Sequence, residues 1–78
     1  MNALIAEKLS EGERMTLDVR TITGGLVRRI FEQAAAPGIY RVLWDGRDET
    51  GRAAASGVYF YELSVGPIRL LRRLTVLR

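Results

Sequence analysis

The chain has neither cysteine nor histidine among its 78 residues. Lack of cysteine excludes disulfides, thiolate metal sites and a thiol nucleophile, and it leaves redox chemistry silent about compartment. Lack of histidine removes the commonest general base and the commonest neutral metal ligand. No apolar run approaches the roughly 20 residues that a membrane-spanning helix needs. Met1 to Ala6 is apolar but too short for a secretory core, with no basic region before it. Any secretion signal is therefore expected to lie outside this chain.

Hydrophobic residues make up 47% and charged residues 27%, which suits a folded domain rather than a disordered one. At this length a single domain hides only about 60% of the surface that its unfolded chain exposes. The formal charge is +3, from Lys8 and eleven arginines against nine acids. Only Arg28 with Arg29 and Arg72 with Arg73 are adjacent. Neighbours in a strand point to opposite faces, so each pair splits instead of forming one patch. Solvated faces and charge-protected edges are the expected role, with an anion-binding surface as the alternative.

The most informative stretch runs from Trp44 to Leu63. Tyr40, Val42 and Trp44, then Tyr59, Tyr61 and Leu63, recur at every second position, the side-chain period of a strand with one buried face. Between them Asp45, Gly46, Asp48 and Gly51 suit left-handed backbone or Asx turns, so a polar loop reverses the chain. Upstream, Met15, Leu17 and Val19 alternate with Thr16, Asp18 and Arg20, a clear half-buried strand. Thr23, Gly24 and Gly25 read as a hairpin turn, with Leu26 to Glu32 returning.

Ala3 to Leu9 reads as a first strand, a helix being the competing assignment. Gln33 to Gly38 is a connection stopped by Pro37 and Gly38. Ile39 to Asp45 and Val58 to Val65 are further strands, Gly66 and Pro67 turn the chain, and Ile68 to Leu77 closes it. Six strands, or seven if the last one breaks, predict an all-β antiparallel sandwich. The adjacent apolar pairs Leu26–Val27, Ile30–Phe31 and Leu70–Leu71 cannot all face one core, which implies a bulge or a second apolar surface.

Catalysis finds little support. Asp45, Asp48 and Glu49 cluster in a loop where turns already call for them, and no enzyme or cofactor is expected. Calcium would suit carboxylate oxygens, but the alternating acidic pattern of an EF-hand loop is missing and Arg47 sits among the acids. Turn formation is the reading preferred here, with calcium as the alternative. Trp44, Tyr40, Tyr59 and Tyr61 are expected to be core, Phe60 the more exposed aromatic, and Tyr59 a donor to nearby backbone.

Taken together, MTLDVRTITGGLVRRIF, GIYRVLWDGRDETGRAAASGVYFYEL and the terminal RRLTVLR resemble the immunoglobulin-like C-terminal domain family shared by flagellar hook-capping proteins and type IX secretion sorting domains. The most specific parts are Trp44-Asp45-Gly46, Asp48, Gly51 and Ala55-Ser56-Gly57 with Val58-Tyr59, followed by the ending Arg72 to Arg78. Trp44, Asp45, Gly46, Asp48, Gly51, Gly57, Tyr59 and Tyr61 form the structural motif.

The resemblance implies an immunoglobulin-like, fibronectin III-like sandwich over residues 1–78, as the C-terminal part of a longer protein. It further implies a non-catalytic sorting or adapter module directing a cargo protein through type IX secretion, to the surface of a Gram-negative cell by way of the periplasm. The partner would be a protein of the secretion machinery or a parent domain, with Arg72, Arg73, Leu77 and Arg78 as candidate partner-binding residues. A structural assembly module of the flagellar hook-capping type is the alternative. A basic nucleic-acid-binding β-domain is the third reading, although nucleic acid is not the expected partner.

Overall fold

A computed structural model describes residues 2–5, 14–34 and 40–77. They form six strands and no helix: β1 (Asn2–Ile5), β2 (Arg14–Thr21), β3 (Leu26–Ala34), β4 (Tyr40–Leu43), β5 (Gly57–Val65) and β6 (Ile68–Val76). Antiparallel pairing orders four of them β3-β2-β5-β6, and β1 pairs with β4 in a two-stranded sheet.

Most expected strands appear with shifted ends. The first begins at Asn2 and ends at Ile5, the rest of its expected span lying outside the described residues. β3 runs two residues past Glu32, taking Gln33 and Ala34 from the expected connection. β4 stops at Leu43, because Trp44 and Asp45 turn away into the loop. β6 does not break, so the described residues hold no seventh strand.

Two tight hairpins hold the four-stranded sheet in register. In the β2–β3 turn, Thr21 N donates to Gly25 O and Gly24 N to Thr21 O, both at 2.9 Å, and Gly25 N donates to Thr21 Oγ1 at 3.0 Å. Only the first glycine of the pair takes a positive φ, 92° at Gly24. In the β5–β6 turn, Val65 lies opposite Ile68, with Gly66 and Pro67 between them.

Alternation along β2 sends Met15, Leu17 and Val19 to one face, where all three are buried. Two clusters of side chains form there. Met15 and Leu17 join Leu63 and Val65 of β5, with Phe31, Val42, Tyr61 and Leu70 against them. Val19 joins Trp44, Ala54 and Val76, with Val27, Tyr59 and Leu74 around them. Fully burying side chains of this size contributes roughly 1.5–3 kcal/mol each.

The adjacent apolar pairs on β3 are resolved by bulges. Leu17 lies opposite Phe31 but Asp18 opposite Arg29, and Val19 lies opposite Arg28 but Arg20 opposite Leu26. Ile30 and Val27 are thus the extra residues of two bulges. Both pack toward the core, Ile30 against both clusters and Val27 against the second. On β6 the pair Leu70–Leu71 stays in register and simply straddles the sheet, leaving Leu71 exposed.

Candidate functional site

The loop from Trp44 to Ser56 joins β4 to β5 and carries most of the sequence motif. Its first residue is an anchor. The Trp44 ring is 2% exposed, and its Nε1 donates to Arg47 O at 2.9 Å, so the indole closes the turn with its polar edge and fills the core with the rest. Tyr59 meets that ring edge-on, with centroids 5.9 Å apart and planes at 68°. Its hydroxyl donates to Ala55 O at 2.7 Å, the expected backbone partner. Tyr61 lies half-buried on the same face, against the Met15–Leu17 cluster.

Asp48 organises the loop's far end. Its Oδ1 accepts from Thr50 N at 2.9 Å, Thr50 Oγ1 at 2.6 Å and Arg52 N at 3.0 Å. The Thr50 hydroxyl first, then the backbone donors and the Arg52 charge, hold this carboxyl below its ordinary range. The backbone closes around it, with Asp48 N donating to Arg52 O at 2.8 Å and Gly51 N to Asp48 O at 3.0 Å. Gly51 takes a φ of 87° at this turn. Asp45 forms a smaller Asx turn, its Oδ1 accepting from Arg47 N at 3.0 Å. The Arg47 guanidinium crosses the loop to Gly51 O at 2.9 Å. Gly46 is buried and its carbonyl accepts from Ala54 N at 2.7 Å. Gly57 opens β5 opposite Val76.

Each acid of the loop therefore has an intramolecular task. The described residues contain no group of three or more Asp, Glu, His or Cys placed to hold a metal ion.

Glu49 has a role that spacing did not reveal. Its N donates to Val27 O at 3.0 Å, and its Oε1 accepts from Arg29 N. Val27 is a bulge residue and β3 an edge strand of its sheet, so the loop engages backbone groups of that edge. Arg28, on the inner side of β3, extends an Nη1 to Asp45 Oδ1 at 3.7 Å.

Asp18 adds to the reading of β2. Its alternation assigns it to the solvent face, and it does lie there, yet it is 2% exposed. Arg29 covers it, Nε to Oδ1 at 2.8 Å and Nη2 to Oδ2 at 3.0 Å, and Arg20 Nη2 reaches Oδ2 at 3.2 Å. Arg20 also approaches Glu62, and Arg29 approaches Glu32, which pairs with Arg14. The Asp18 hydrogen bond and charge together raise the Arg29 guanidinium above its ordinary value. The Arg28–Arg29 pair splits between faces as expected. Phe60, expected to be the more exposed aromatic, is half-buried like Tyr59 and Tyr61, on this outer face beside Arg20.

The expected partner-binding residues belong to β6 and the end of the chain. Arg72 and Arg73 are exposed on β6, on opposite faces, and Leu77 follows the strand at 86% exposure. Arg78 is outside the described residues. Among the described residues no helix is long and apolar enough to cross a membrane.

Searches of curated proteins and of solved structures found no match. The family described as FlgD Ig-like domain matches residues 6–66, a span that holds β2 to β5 and the whole Trp44 loop, and the chain belongs to that family.

Proposed function

We propose that this chain is a non-catalytic structural module of the flagellar hook-capping type, folded as an immunoglobulin-like sandwich and acting by presenting surfaces to protein partners. The observation that carries this is the family match over residues 6–66. It favours the assembly reading over the type IX sorting reading that the sequence put first. Support for the sandwich comes from Val42 of β4, which packs onto the Met15–Leu17–Leu63–Val65 cluster of the four-stranded sheet. Support for a non-catalytic role comes from the loop, where Asp48 and Glu49 are engaged in holding backbone. A module of this kind would work outside the cytoplasm of a Gram-negative bacterium.

Two assays separate the readings. A tag-free pull-down with the purified chain should recover hook components and not type IX secretion proteins. Fused to a reporter bearing a signal peptide in a type IX-competent cell, the folded chain should leave the reporter in the periplasm. Delivery of the reporter to the cell surface would reinstate the sorting reading.

A further inference from the structure

The two edges of the four-stranded sheet are finished differently. β3 is broken by bulges at Val27 and Ile30, and Glu49 engages its backbone at Val27 and Arg29. β6 has neither device. It pairs with β5 over nine consecutive residues, Ile68 to Val76, with no register shift, and among the described residues no strand pairs with its other side. A long, regular edge of this kind is a template for another strand unless something blocks it.

The charge on that edge is one-sided. Ile68–Val76 contains Arg69, Arg72 and Arg73 and no acid. Arg14, Arg20, Arg28 and Arg29 each pair with a carboxylate, but none of the β6 arginines forms an ion pair among the described residues. Arg72 instead turns back to its own strand, Nη1 to Leu71 O at 3.1 Å, a contact that an incoming amide can replace. Interleaved with these charges, Ile68 is 60% exposed and Leu71 54%.

The geometry points to β6 as a docking edge for an extended acidic segment of a protein partner, which adds to the sheet beside it. Backbone hydrogen bonds would supply the attachment and alternate side chains the selectivity. On the outer face, carboxylates would lie against Arg69 and Arg73, with an apolar side chain between them over Leu71. Pairing between two copies of β6 brings arginine rows together without compensation, so the positive edge selects against itself and for an oppositely charged strand. Nucleic acid is the weaker occupant, because Arg72 faces away from Arg69 and Arg73 and the row is not continuous on one side. This inference goes beyond the hook-capping reading and does not depend on it.

The test uses the 78-residue chain and an end-blocked nonapeptide with glutamate at its fourth and eighth positions, valine at its sixth and threonine elsewhere, so that one strand face presents Glu, Val and Glu in turn. Titration followed by amide NMR should show saturable binding, with shifts and slowed exchange concentrated on Ile68–Val76. Replacing both Arg69 and Arg73 by Glu should weaken binding at least tenfold. A peptide N-methylated at alternate residues keeps its charge but loses backbone donors, and against the unaltered chain it should bind at least tenfold more weakly. Absence of binding overturns the inference. So does equal affinity for the N-methylated peptide, perturbation centred elsewhere, or tighter binding of a single-stranded oligonucleotide, which would make the surface a general polyanion site.

Discussion

Arg29 holds Asp18 with two nitrogens on two oxygens, at 2.8 and 3.0 Å, across the β2–β3 pairing just where β3 bulges. The bulge at Ile30 brings Arg29 opposite Asp18, and the fork of the guanidinium fits the carboxylate. Asp18→Ala removes the acceptor for three charged donors, although Arg20 and Arg29 then regain water. It should destabilise the fold by about 2 kcal/mol, seen as a lower urea midpoint at unchanged slope. Arg29→Lys keeps the charge but not the fork, so it should also lower the midpoint.

The Trp44–Tyr59 pair joins the loop to the second core cluster. Trp44→Ala should cost about 3–5 kcal/mol, enough to unfold a domain this small, as circular dichroism would report. Tyr59→Phe removes only the bond to Ala55 O and should cost about 1 kcal/mol. Trp44 is the sole tryptophan, so its fluorescence follows the unfolding of the Tyr59→Phe variant directly.

Asp48 gives the loop an acid-range pH dependence. Its folded pKa lies below its unfolded one, so its contribution is complete above the ordinary carboxylate range and is lost as pH falls through the lowered folded value. The amide resonances of Thr50 and Arg52 should shift together in that acid window. Asp48→Asn should abolish the titration.

Two glycines test backbone strain apart from packing. A Cβ added at Gly51 or Gly57 meets no heavy atom within 4 Å, so substitution costs only the left-handed conformation, with φ at 87° and 152°. Gly51→Ala should cost about 1 kcal/mol. At Gly57 the backbone lies in a region nearly reserved for glycine, so Gly57→Ala should lower the thermal midpoint further than Gly51→Ala.

Strand periodicity made the sheet legible, since Met15, Leu17 and Val19 need one face and their positions announce it. Adjacent apolar residues signalled a bulge, but only pairing partners assign the extra residues to Val27 and Ile30. The burial of Asp18 was not legible, because alternation reports a face and not what neighbouring strands lay over it. Asp45 and Asp48 do form turns, as their place in the loop suggested. Glu49 was missed, since its partners Val27 and Arg29 lie about twenty residues away in the chain and are backbone atoms. Strand ends moved where Trp44 left the sheet to become core.

Assembly through hook-type protein contacts, proposed above, is tested most directly by binding to purified hook subunits. Sedimentation of the chain with assembled hook protein, beside a matched reaction with type IX secretion components, should show saturable recovery in the hook pellet alone. Recovery with the secretion components and none with hook protein would contradict the account.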